Sequence, residues 1–311
     1  MLRWIIRTVI SVSVVAVLVT VASTDGLRQA FGEVRGAVWV ASLAVFLAGH
    51  ALNAAKYRWL LQDPQATLGV CLRAHFAGLV ANLGLPGVAG GDVVRATYLL
   101  PHGVSPKAAT VASVLDRLVD TATLGLLIGV GALVAGIPPA LSSASIGVRW
   151  PLVAGGVGAL ALGAVALVLL KRRKGGAGGV SLRSLAADVR SRSGALAAAV
   201  VVTAVVQSAF VMTNVWMAAD LGLDIGVAPW FVAWPLSKII AILPISLGGI
   251  GVREAALVSL LAPFGAPSAL VFASGLLWQG VLIASGLLGL GIGSLVGASP
   301  SPATSSPVQR S

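Results

Sequence analysis

GLPGVAGGDVVRATYLL (residues 84–100) and ILPISLGGIGVREAALVSLL (residues 242–261) decide how this chain folds. Both carry Leu-Pro-x-x-x-Gly-Gly-x-x-x-Arg, first as Leu85, Pro86, Gly90, Gly91 and Arg95, then as Leu243, Pro244, Gly248, Gly249 and Arg253. All five positions recur at one constant offset of 158 residues (Arg95 to Arg253). Glycine and leucine are abundant throughout, so the proline and the arginine carry most of the information. Apolar segments broken by Gly and Pro at matching places in two halves of a membrane chain point to a transporter's binding site.

The surroundings of the two motifs are apolar. Of the 311 residues 57% are hydrophobic and 10% charged, and the mean hydropathy is +0.97; soluble domains carry about 25% charged residues. A soluble chain of this length cannot bury that much apolar surface, so the class is all-α: a polytopic helical membrane protein. The net charge of +11 is not a nucleic-acid signal, because the basic residues sit in short loops without any nucleic-acid-binding motif. It reads instead as positive-inside topology facing an anionic leaflet. Cys71 is the single cysteine, which excludes an internal disulfide. His50, His75 and His102 lack metal-ligand spacing, so no metal site and no cofactor is expected.

Runs long enough to cross a bilayer occupy roughly 4–22, 37–54, 108–136, 150–170, 195–219 and 267–296, giving about six full spans. The stretches 76–100 and 229–263, apolar but interrupted, read as re-entrant helical hairpins, because irregular backbone at membrane depth survives only inside protein or along a cavity. Arg3 and Arg7 precede the first span, Lys56, Arg58 and Arg73 follow the second, and seven Lys and Arg crowd the 171–194 loop after the fourth. The opposite loops hold Arg28, Glu33, Arg35, Arg149, Asp220 and Asp224. Both termini are therefore expected in the cytoplasm of a cell-membrane protein. The first span, ending at Ala22 and Ser23, would also suit a cleaved signal peptide. The reading is a single integral membrane domain over 1–298, with motifs at 82–100 and 243–257, a basic cytoplasmic loop at 171–194 and a disordered tail at 299–311.

Three full spans separate the two arginine motifs, so the second hairpin is expected to enter from the face opposite the first, an inverted repeat. Within each copy, Pro and Gly-Gly stop one short helix and start another near mid-bilayer. Asp92 is placed to cap the helix that carries Arg95, and the second helix starts near Gly249–Gly251 and carries Arg253 and Glu254. Helix N-termini attract anions through unpaired N–H groups and the dipole, and two facing each other with an Arg one turn in would suit a phosphate. The structural alternative is close helix packing at Gly-Gly with each Arg neutralising a carboxylate. Asp116, Arg117 and Asp120 lie early in the third span; Asp116 and Asp120 share a helical face, and Arg117 and Asp120, three apart, can pair. Intramembrane charges cost at least about 2.5 kcal/mol each at the centre and face a partner or a wet cavity. Asp116 is the first candidate counter-ion for Arg95 or Arg253, beside a plain interfacial cluster. Lys238 reads as a snorkelling residue, and Asn53, Asn82, Gln207, Asn214 and Gln279 mostly as interhelical glue.

NAAKYRWLL (53–61), NLGLPGVAGGDVVRATYLL (82–100), SVLDRLVD (113–120) and LPISLGGIGVREAAL (243–257) resemble, in order and spacing, the membrane domain of the lysylphosphatidylglycerol synthase / flippase-like family. The likeness runs from about 35 to 296. It implies a domain that moves a phospholipid, or in some relatives a polyprenyl-phosphate lipid, between leaflets. The full-length synthases add a soluble aminoacyl-transfer domain; this chain ends just after its last span, so that activity is expected to be absent.

On this reading Arg95 and Arg253 hold phosphate, while Asp92, Asp116, Arg117 and Glu254 balance or gate them. Gly90, Gly91, Gly248, Gly249 and Ser246 line the path. Two other classes stay open. One is an intramembrane enzyme on a lipid headgroup using Asp116, Asp120 and Glu254, against which stand the missing His nucleophile and the doubled motif. The other is a membrane partner of a separately encoded transferase. The expected partners are lipids with anionic headgroups, with a homodimer or a lipid-modifying enzyme beside them, and no nucleic acid. Nothing resembles a P-loop, so energy comes from a gradient, from mass action, or not at all.

Overall fold

The computed structural model describes residue 32 and residues 35–84, 89–135, 192–241 and 249–296. The expected spans at 4–22 and 150–170, the 171–191 part of the basic loop and the tail lie outside the described residues, as do Leu85, Pro86, Leu243, Pro244, Ser246 and Gly248. Among the described residues every regular element is helical. In chain order these are α1 (Gly36–Leu61), α2 (Leu68–Gly84), α3 (Ala89–Leu99), α4 (Pro106–Ala135), α5 (Ser193–Asp220), α6 (Ala228–Ile240), α7 (Val252–Leu261) and α8 (Ser268–Val296), with single 3-10 turns at Leu100–His102 and Ala262–Phe264. Four helices, α1, α4, α5 and α8, are long and apolar enough to cross a membrane, and they fall on four of the six expected runs. The protein is a multi-pass helical membrane protein.

Local chemistry fixes the helix ends. Thr67 Oγ1 accepts the Val70 N–H at 3.3 Å ahead of α2. Ser105 Oγ accepts the Ala108 N–H at 3.1 Å ahead of α4, which opens on Pro106, a residue suited to the first helical position. α1 stops at Gln62, whose φ of 48° is left-handed, and Arg192 donates to the carbonyls of Leu60 and Leu61, which would otherwise be orphans at the helix end.

α1 and α5 pack antiparallel along their length. At one end Arg35 pairs with Asp220 through both its backbone N–H and its side chain. At the other, Arg192 meets Leu60. The expected spans put Arg35 and Asp220 on one membrane face and Arg58 and Arg192 on the other, and the contacts agree with that grouping.

The short helices come in two pairs. α2 and α3, 17 and 11 residues long, depart from and return to the Leu61 end, where Asp63 Oδ2 accepts the Ser105 N–H at 3.1 Å. α6 and α7, 13 and 10 residues, depart from and return to the Asp220 end, where Leu221 packs on Phe272 and Ala273 at the start of α8. At about 1.5 Å per residue, α3, α6 and α7 each fall short of a hydrocarbon core about 30 Å thick. The two pairs thus start and finish at opposite ends of the bundle.

Two large cores, with two smaller clusters beside them, hold this arrangement. Around the first pair, Tyr57, Leu60, Leu61, Cys71, Leu99 and Leu115 close together. Around the second, Phe46, Phe210, Trp230, Trp234 and Trp278 do so, with Phe46 stacked on Phe210 at 4.4 Å and edge-on to Trp278 at 5.6 Å.

Glycine sets the spacing inside the first pair. A Cβ at Gly91 would stand 2.3 Å from the Gly78 carbonyl oxygen and 2.4 Å from Asn82 Oδ1, so α2 and α3 touch backbone to backbone there. Gly91→Ala must push the two helices apart at a cost on the order of 3 kcal/mol. The expected result is a lower unfolding temperature in detergent for Gly91→Ala, with no change for Gly125→Ala, since a Cβ at Gly125 meets nothing within 4 Å. Equal behaviour of the two variants would contradict the packing.

Candidate functional site

Between the two pairs of short helices lies a cavity of about 190 Å³ lined by polar side chains from six helices, α1 to α6, and by Arg253 and Trp278 from α7 and α8. Drug-sized ligand pockets run from about 300 Å³ upward; this one is smaller.

Asp116 stands at its centre, only 3% exposed. Its Oδ2 accepts from Arg95 Nη2 at 2.8 Å, and its Oδ1 lies 2.9 Å from Lys56 Nζ. Lys56 also donates to Asp120 Oδ1 at 2.7 Å and to Thr203 Oγ1 at 3.0 Å. Arg117 grips Asp92 with two bonds, Nε to Oδ2 at 2.6 Å and Nη2 to Oδ1 at 2.7 Å, the fork geometry that makes arginine–carboxylate pairs strong. Asp92 also sits 3.5 Å from Arg95 Nη2. The first half of the cavity is therefore a continuous network across α1, α3, α4 and α5.

The second half is built on α7. Arg253 Nη2 donates to Glu254, its chain neighbour, and to Gln279 Oε1 at 2.8 Å. Glu254 Oε2 accepts the Gly251 N–H at 2.7 Å and so closes the start of the helix. Gly249 has a φ of +78°, and a Cβ there would stand 2.9 Å from Ala241 Cβ, so a side chain is strained at that turn.

The two motif arginines share an environment. Arg95 lies 3.8 Å over the Tyr57 ring and Arg253 lies 3.8 Å over the Trp278 ring, each held by cation–π attraction as well as by a carboxylate. Both line the cavity. Both keep a buried Nε–H without a hydrogen-bond partner among the described residues, and a buried donor left unpaired costs about 1–3 kcal/mol.

Of the two counter-ions proposed for Asp116, the structure selects Arg95; Arg253 takes Glu254. Four sequence expectations need correction. Arg117 pairs with Asp92 across the hairpin, not with Asp120 one turn along, because Asp120 is already engaged by Lys56. Asp92 does not cap its own helix: α3 begins at Ala89, and the free N–H of Gly91 goes to Asn82 Oδ1 at 2.7 Å. Lys56 is not a loop charge; α1 continues to Leu61, leaving Lys56 1% exposed inside the bundle. Lys238 does not reach for a membrane surface; its Nζ lines the cavity and donates to Gln207 Oε1 at 3.1 Å.

Several site residues escaped the sequence reading for a plain reason. Tyr57 and Trp278 look like any aromatic in an apolar run. Asn82, Gln207 and Gln279, read as glue, do bond between helices. His50 and His75 hydrogen-bond each other at 3.2 Å and line the cavity. Gly90 lies half-buried in α3. No cluster of three or more potential metal ligands occurs among the described residues.

Short helix pairs meeting over a charged cavity inside an apolar bundle define a membrane domain with an interior polar chamber. Residues 4–289 match the family described as the lysylphosphatidylglycerol synthase TM region, and the chain belongs to that family. No curated protein matches the chain.

Proposed function

We propose that this protein is a lipid flippase or related transporter, moving an anionic phospholipid or a polyprenyl-phosphate-linked lipid between the leaflets of the cell membrane, with both termini in the cytoplasm. The observation that carries the reading is the cavity between the helix pairs, in whose lining Arg95 and Arg253 each keep a buried N–H without a partner among the described residues. A headgroup phosphate offers the acceptors these donors lack, while the tails stay in the bilayer. On this reading the two hairpins are re-entrant, one from each face, as an inverted repeat. Asp92, Asp116, Arg117 and Glu254 balance the arginines, and Gly90, Gly91, Gly248, Gly249 and Ser246 border the headgroup path. Family membership supports lipid handling. The ion pairs speak against acid–base chemistry, since Asp92, Asp116, Asp120 and Glu254 are each engaged by an Arg or Lys.

Reconstitution tests the reading. Liposomes holding the purified protein and a fluorescent anionic lipid in both leaflets are expected to expose the inner-leaflet label to a membrane-impermeant quencher at least about tenfold faster than protein-free liposomes. Rates equal to the protein-free control for anionic and polyprenyl-phosphate lipids alike would remove the transport function.

A further inference from the structure

His50 and His75 line the cavity but take no part in its ion pairs. His50 stands near the middle of the 26-residue α1, and His75 halfway along α2. Their rings meet at 3.2 Å, Nδ1 of His50 to Nε2 of His75. The far nitrogens, His50 Nε2 and His75 Nδ1, are buried and have no hydrogen-bond partner among the described residues. Phenylalanine encloses the pair. A Cβ at Gly49 would stand 2.6 Å from Phe210 Cε1, so the missing side chain lets the Phe210 ring come within 5.4 Å of His50. Phe46 and Phe76 stand at 6.1 and 6.2 Å from the same ring.

A neutral imidazole has one N–H and one lone pair. The shared bond uses one of each, so whichever ring donates, one N–H and one lone pair remain on the far nitrogens. As helix-to-helix glue the pair is poor. A buried donor left unpaired costs about 1–3 kcal/mol, and two phenylalanines would fill the space without it. The spare lone pair can accept one proton. The pair then becomes an imidazole and an imidazolium joined by a charge-assisted N–H···N bond. A second proton would set two N–H groups against each other and break that bond, so the capacity is one proton per pair. A proton gained at one far nitrogen can be given up from the other, with the central proton changing rings. Histidine is the side chain whose ordinary titration falls between about pH 5 and 8.

Resting on the transport reading, we infer that His50 and His75 pass one proton per transport cycle, which makes the protein a proton-coupled carrier. The charged groups around the cavity set when the pair loads. They are Lys56 on α1, Asp92 and Arg95 on α3, Asp116, Arg117 and Asp120 on α4, Lys238 on α6 and Arg253 on α7. Arg73 on α2 turns away to the Gly69 carbonyl. Among the described residues α5 and α8 present only uncharged side chains, Gln207, Phe210, Trp278 and Leu282. The cations oppose a further positive charge and the carboxylates favour it. Any rearrangement of their ion pairs therefore changes the cost of the proton, and this links loading to the state of the cavity.

The test uses the full chain in liposomes that hold pyranine and a fluorescent phosphatidylglycerol, with and without a pH gradient. One proton per cycle turns a gradient of about one pH unit into about a tenfold shift in the leaflet ratio of the labelled lipid. The wild type is expected to show that shift, with proton entry reported by pyranine. His50→Asn combined with His75→Gln places amides where the two bonded nitrogens stand, so the mutual hydrogen bond survives and the proton capacity does not. That double variant is expected to reach the same ratio with and without the gradient. His75→Gln alone leaves a ring that loads a proton but cannot pass it on, and is expected to lose the response too. His102→Gln, at an exposed position outside the cavity, keeps the wild-type response. A wild-type ratio indifferent to the gradient, with the lipid still moving, overturns the proton coupling and leaves transport standing; this arm needs no variant to fold. Variants as gradient-sensitive as the wild type overturn the assignment to the two histidines. Histidine-dependent proton entry without lipid movement keeps the proton site and overturns the transport reading.

Discussion

Asp116→Ala is expected to destabilise the folded protein by about 3 kcal/mol, the lower end of what breaking a buried ion pair costs. Asp116 is the shared counter-ion of Arg95 and Lys56. Its removal leaves both cations buried, each with only its second carboxylate, Asp92 for Arg95 and Asp120 for Lys56. Those second partners are why the loss sits at the low end. Unfolding followed by intrinsic fluorescence in detergent measures the effect, and a double-mutant cycle with Lys56→Met isolates the pair. The double variant is expected to lose less than the two singles combined, because the Lys56–Asp116 attraction, broken in each single, is lost only once in the double. Strict additivity would mean that Lys56 and Asp116 are not energetically coupled.

Arg253→Ala carries the second large effect, and here two consequences must be separated. Transport is expected to fall by up to about a hundredfold, the loss of a charge-assisted contact of up to about 3 kcal/mol. Stability falls as well, because Glu254 is left as a buried carboxylate with the Gly251 N–H as its remaining partner. Arg253→Ala combined with Glu254→Gln removes the stranded charge while keeping an acceptor for Gly251. That double variant is expected to recover the unfolding temperature without recovering transport. Arg253→Lys recovers transport in part, since a lysine supplies the charge without the planar fork or the stacking on Trp278. A stable double variant that transports at the wild-type rate would reduce Arg253 to a structural ion pair.

Much of this was readable from the residues alone, for identifiable reasons. The long helices announce themselves because a 26- to 30-residue apolar run has few alternatives. The doubled motif led to the cavity because glycine and proline at a fixed offset are legible without knowing any contact. Asp116 stood out because a carboxylate inside a span demands a partner, and Arg95 is that partner. What stayed hidden depends on who meets whom across the fold. Lys56 follows the apolar run at its end and looks like a boundary charge; Asp116, Asp120 and Thr203, all distant in sequence, make it an interior residue. Arg117 offers Asp120 as a local partner, and the local rule fails because the hairpin delivers Asp92 with better geometry. Arg253 and Glu254 are neighbours in sequence, which on a regular helix face apart, yet at the first turn after Gly251 the two side chains meet. Lys238 reads as a snorkelling residue in sequence because its partner, Gln207, is 31 residues away and comes to it only in the folded bundle.

The balance of charge in the first half of the cavity also bears on the electric field across the bilayer. Lys56, Arg95 and Arg117 close on Asp92, Asp116 and Asp120, three charges against three. Carrying one elementary charge through 100 mV is worth about 2.3 kcal/mol. A cluster whose charges cancel shifts through that field as a unit without electrical work, whereas breaking any one pair exposes the separated charges to the voltage.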